Sequence, residues 1–158
     1  MDTSEQYIKM CEKATEIQEQ KPLDYDGNLR DGEYFSGDYI THCDDMTITE
    51  FVGKASYCED CWYNQKPTDD YTWLPRQDQL QAMVVNPHVI GRLYDFADFV
   101  HKEPYMPNGI IGKFKMFKEP NDEACHFFNS MEQLWLAFVM KERWNKAWNG
   151  EEWVNAIH

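Results

Sequence analysis

A chain of 158 residues with 28 Asp/Glu against 15 Lys/Arg carries a formal net charge of -13. That charge argues against unspecific binding to DNA, RNA or anionic membrane, because each repels it. Hydrophobic residues at 42% and aromatics at 15% supply too much ring surface for a disordered chain.

The length fits a single domain over residues 1–158, able to bury roughly two thirds of its unfolded surface. Charge divides it. Residues 1–70 hold 17 acids against 6 bases, net -11, whereas residues 71–158 hold 11 against 9, net -2. No N-terminal stretch joins a basic start to an apolar run, and the longest apolar run, Leu134 to Met140, is too short for a bilayer. Neither an export signal nor a membrane span is therefore expected. Five cysteines without an export signal point to a reducing cytosol, where clustered thiols are more often metal ligands than disulfides.

In chain order, Thr3-Ser4-Glu5-Gln6 reads as a capping box with Thr3 as N-cap. Tyr7, Met10, Cys11, Ala14 and Ile17 follow helical spacing, which predicts an amphipathic helix over 4–19 with Cys11 as a small buried hydrophobe. Residues 22–70 then change character. Pro22, Gly27, Gly32, Gly37 and Gly53 punctuate short aromatic and β-branched runs at 33–35, 38–42, 47–52 and 57–63. These predict a small antiparallel sheet or meander with little apolar material per strand.

Residues 71–158 read as a helical core. Trp73 to Leu80 opens a second helix with Pro75 near its first turn and Leu80, Met83 and Val84 facing inward. Val89 to Val100 forms a third, striped by Val89, Leu93, Phe96 and Val100. A strand over 110–117 follows the turn Met106-Pro107-Asn108-Gly109. Ser130-Met131-Glu132-Gln133 is a second capping box, starting a helix over 131–146 whose apolar run is buried nearly all round. Asn149-Gly150 between aromatics predicts a terminal hairpin. The fold class is α+β, a small antiparallel sheet with about four helices.

Three stretches resemble a known family: Tyr7-Ile8-Lys9-Met10-Cys11-Glu12-Lys13-Ala14, Trp73-Leu74-Pro75-Arg76-Gln77-Asp78-Gln79-Leu80-Gln81, and Met131-Glu132-Gln133-Leu134-Trp135-Leu136-Ala137-Phe138-Val139-Met140-Lys141-Glu142. The family comprises small proteins of phages and prophages of Gram-positive bacteria. The resemblance implies a phage origin and action in the host bacterial cytoplasm, and a type II anti-CRISPR protein is consistent with it. It carries no catalytic residues, and residues 22–68 are where this chain departs from the family.

Cys43 and the pair Cys58-Glu59-Asp60-Cys61 have the spacing of a structural zinc site that staples the weakly cored, loop-rich segment. His42 is the preferred fourth ligand, although a bend at 42–45 is needed because neighbouring strand residues point to opposite faces. Cys125 or His126 is the rival, with His101 and His88 weaker. Free buried thiols are the plainer reading of the cluster. A redox pair is disfavoured, because Glu59 and Asp60 raise the thiol pKa values. A metal with four protein ligands has no open position for catalysis.

There is no P-loop, no G-x-G-x-x-G, no G-x-S-x-G and no H-E-x-x-H. Paired acids at Asp44-Asp45 and Asp69-Asp70 read as exposed loop acids. The expectation is a non-enzymatic inhibitor of a host defence nuclease, CRISPR-Cas9 foremost, that binds a basic protein surface rather than nucleic acid or membrane. Asp24, Asp26, Asp31, Asp44, Asp45, Asp69 and Asp70 are the candidate partner-binding acids. The alternatives are a small metal-dependent hydrolase or nuclease acting on nucleotides, and a phage regulatory or assembly protein.

Overall fold

The computed structural model describes residues 1–25, 27, 29–41, 47–55, 67–102 and 128–156; for 38–41, 47–51, 67–70, 101 and 102 only the backbone is described. Within them the chain is α+β, with five helices, a three-stranded antiparallel sheet and a two-stranded hairpin. Its packing groups into two compact units, residues 3–76 and residues 1–2 with 77–158.

The first unit opens with α1 (Glu5–Lys13) and α2 (Thr15–Gln18). Ser4, one residue after the expected Thr3, is the N-cap, its hydroxyl accepting from the Tyr7 N–H at 3.3 Å. The continuous helix expected over 4–19 is broken at Ala14, whose ψ of 70° leaves the helical region. Tyr7, Met10, Cys11, Ala14 and Ile17 are all fully buried. The apolar stripe therefore continues across the break, and Cys11 is the buried hydrophobe its spacing implied.

The sheet is β1 (Tyr34–Thr41), β2 (Thr47–Lys54) and β3 (Pro67–Leu74), in the order β2-β1-β3. The expected runs at 33–35 and 38–42 are one strand, carried through Gly37. The run at 57–63 lies outside the described residues. β3 replaces what reads locally as a loop at Asp69-Asp70 and a helix start at Trp73. Phe35, Trp73 and Leu74 are buried, and β3 packs on α1.

Beneath the sheet Glu33 is buried, its carboxylate accepting from the Trp73 indole at 3.4 Å and the Arg76 guanidinium at 3.2 Å. Arg76 is partly exposed, so water screens that ion pair, and the orphaned indole N–H dominates the effect of removing the carboxylate. Glu33→Ala is expected to lower stability by about 1–2 kcal/mol in urea unfolding.

The second unit holds α3 (Gln77–Met83), α4 (Val89–Lys102) and α5 (Met131–Trp144), followed by β4 (Lys146–Trp148) and β5 (Trp153–Asn155). The helix expected from Trp73 starts only at Gln77, because Trp73 and Leu74 belong to β3. α5 is capped as read: the Gln133 N–H donates to the Ser130 hydroxyl at 3.1 Å. The Gln133 side chain accepts from the Asn129 N–H, one residue ahead of the N-cap, at 2.9 Å. Asp2 adds a carboxylate there, accepting from the Gln133 amide at 2.8 Å and from the Ser130 hydroxyl.

Gln133 to Met140 are buried without interruption, so α5 is the axis of this unit. It ends at Trp144, two residues short of expectation, with Asn145 as its C-cap in the left-handed region at φ 51°. Asn145 then binds the hairpin end, its carbonyl accepting from the Ala156 N–H at 2.7 Å.

α4 packs Phe96 and Phe99 on α5, with Phe96 stacked on Trp135 at 4.0 Å between centroids. The expected stripe is only partly inward, because Val89 and Leu93 are 66% and 52% exposed. The terminal hairpin forms as expected, with the Asn149 side chain accepting from the N–H groups of Glu151 and Glu152, both at 2.8 Å. The strand expected over 110–117 lies outside the described residues. Among the described residues no helix is long and apolar enough to cross a membrane.

Candidate functional site

Register, not local sequence, assembles the candidate site. In the β1–β2 ladder Asp38 stands directly opposite Glu50. Like charges at such a pair are destabilising. In the β1–β3 ladder Gly37 pairs with Tyr71 and Tyr39 with Pro67. Asp38 alone on β1 thus spans the interval that Thr68, Asp69 and Asp70 span on β3, a bulge of two extra residues. The backbone therefore carries Glu50, Asp38, Asp69 and Asp70 at one level across three strands.

Asp69 and Asp70 were legible as acids but not as strand residues. Asp38 and Glu50 were missed as candidates. The only signal for them is the pairing of two runs, each with one acid three residues from its turn-side end. Neutralising that pair, Asp38→Asn with Glu50→Gln, is expected to raise the unfolding free energy by about 0.5 kcal/mol.

The remaining candidate acids divide. Asp31 is exposed at the turn before β1. Asp24 is half-buried near the β3 end of the sheet. Burial first, and the charge of Asp24 second, hold the Tyr71 phenol above its usual ionisation range. The Lys21 ammonium lies over that ring at 4.2 Å from its centroid, its own pKa lowered by burial.

A raised phenol pKa means the folded state retains the proton longer than the unfolded chain. The stability it confers is full below the ordinary tyrosine range and lost as pH climbs through the raised value. Lys21, lowered, acts in the opposite sense just below the ordinary lysine range. Tyr71→Phe is expected to remove the tyrosine part of the alkaline loss, read as a smaller fall in thermal midpoint between neutral and strongly alkaline pH. An unchanged fall would assign it elsewhere.

Asp26, Asp44 and Asp45 lie outside the described residues, as do all four expected zinc ligands, His42, Cys43, Cys58 and Cys61, and the rivals Cys125 and His126. His101 sits near the end of α4. His88 is exposed ahead of α4, its N–H donating to the Asn86 side chain at 3.1 Å. Among the described residues no group of three or more His, Cys, Asp or Glu is placed to hold a metal. Comparison with protein-family models, characterised proteins and solved structures gives no match.

Proposed function

We propose that the chain is a phage-encoded, non-enzymatic binding protein that inhibits a host defence nuclease of the Cas9 type. Its acidic sheet would occupy the basic surface on which that nuclease handles nucleic acid. The observation that carries this reading is the acid band at Glu50, Asp38, Asp69 and Asp70. A fold gains nothing by keeping like charges in register, whereas a cationic partner turns the same repulsion into attraction. The net -11 of residues 1–70 extends that field around the band, and the resemblance to phage proteins supports the setting in the host cytoplasm.

In this reading zinc is structural, held by His42, Cys43, Cys58 and Cys61, and it secures the segments flanking β2. Elemental analysis of protein purified without chelator should give one zinc per chain, and chelation should loosen the sheet unit. A content well below one would remove the metal from the account.

The binding itself is tested by capture from host lysate after nucleic acid is digested. The parent chain should retain a nuclease of this type, and the quadruple variant Asp38→Asn/Glu50→Gln/Asp69→Asn/Asp70→Asn should lose it. Equal capture by both proteins would refute the role of the band.

A further inference from the structure

Among the described residues the outer edge of β3 is closed by side chains, not by a fourth strand. Trp73 directs both its backbone groups away from β1. Its N–H donates to the Gln18 side-chain oxygen at 2.8 Å, and its carbonyl accepts from the Gln18 amide nitrogen at 2.9 Å. Two residues either way, the Tyr71 carbonyl accepts from the Lys21 ammonium at 3.3 Å and the Pro75 carbonyl from the Tyr7 hydroxyl at 2.5 Å. Alternate residues of an edge strand present the groups a further strand would bind. A primary amide offers one donor and one acceptor, as a peptide group does, so Gln18 stands where the next strand's backbone would stand.

The segment that supplies Gln18 and Lys21 is weakly built. α2 is a single turn of four residues, too short to hold as a helix without tertiary contacts. Among its residues Ile17 alone is buried. The preceding break at Ala14 separates it from the longer and better anchored α1.

We infer that residues 15–21 are a latch on the outer edge of β3, and that the opened edge pairs with the same edge of a second copy of this chain. The outward-facing residues Tyr71 and Trp73 are symmetric about Thr72. Antiparallel pairing of Tyr71 in one copy with Trp73 in the other therefore satisfies the groups of Tyr71 and Trp73 that the latch releases. That register sets Asp70 opposite Leu74 and Asp69 opposite Pro75, so no acid meets an acid across the joint. A register shifted toward the start of β3 would bring the acids together and is disfavoured.

The test is the double variant Gln18→Ala/Lys21→Ala, followed by sedimentation over a range of concentrations. It should form a defined dimer, absent from the parent chain under the same conditions, with an infrared signature of added antiparallel strand. A folded variant that stays monomeric throughout, or one that gives only aggregates without defined size, would overturn the inference. Native-state amide exchange on the parent chain gives an answer even if the variant does not fold. The Trp73 amide should exchange together with those of residues 15–21, about tenfold or more faster than the β1–β2 ladder. Exchange of Trp73 only through global unfolding would equally overturn it.

Discussion

Gln18→Ala is expected to lower the unfolding free energy by about 3 kcal/mol. The side chain serves three backbone groups at once. Besides both groups of Trp73, its amide nitrogen donates to the Cys11 carbonyl at 3.0 Å, beside the helix break at Ala14. Removing the amide orphans both Trp73 groups and takes one donor from the Cys11 carbonyl, which keeps the Ala14 N–H at 3.1 Å; unmet buried backbone groups cost about 1–3 kcal/mol each. The total stays toward the lower end because Gln18 is half-buried and water reaches part of the site. Gln18→Glu separates the terms. It keeps an acceptor for the Trp73 N–H but has no donor for the two carbonyls, so it should recover only a minor part of the loss. Urea unfolding followed through tryptophan fluorescence measures both; an alanine variant within 0.5 kcal/mol of the parent would contradict this role.

Trp135→Ala is expected to cost about 3–5 kcal/mol by leaving a cavity on the axis of the second unit. Trp135 is 1% exposed, stacks on Phe96 and meets Phe138 edge-on at 5.6 Å between centroids. Aromatic pairs of this kind add to the loss of buried area. Its indole N–H has no hydrogen-bond partner among the described residues. Trp135→Phe removes that unmet donor along with some volume, so it should cost well under half as much as alanine. Thermal unfolding of both variants tests the contrast. Equal losses would mean that the indole N–H is satisfied and that polar loss, not cavity formation, dominates.

What the sequence discloses follows the range of the forces involved. Ser130 as a cap, the buried run of α5 and the hairpin at Asn149-Gly150 rest on contacts within a few residues, and each is legible in the local pattern. The break at Ala14 is not. No glycine or proline marks it, and Met10, Cys11, Ala14 and Ile17 keep helical spacing on both sides. β3 was hidden for a different reason. Aspartate is poor in strands, and Pro75 after Trp73-Leu74 imitates a helix start. Pairing with β1, and the side chains of Tyr7, Gln18 and Lys21 on the other edge, override both signals.

The acid band required the same non-local information, since only the ladder registers bring Asp38 to Glu50 and to the Asp69-Asp70 bulge. The cysteines at 43, 58 and 61 and the candidate acids Asp26, Asp44 and Asp45 lie outside the described residues, so their roles rest on spacing and charge.

The most direct measurement is titration of the purified chain into a guide-loaded nuclease of the Cas9 type, reading binding and target cleavage at low and at high salt. Stoichiometric binding and arrest of cleavage are predicted at low salt, weakening as salt rises because exposed charge carries the attraction. The quadruple variant at Asp38, Glu50, Asp69 and Asp70 should restore cleavage while remaining folded. Cleavage that proceeds unchanged with the parent chain in excess, or binding indifferent to both salt and the variant, would contradict the account.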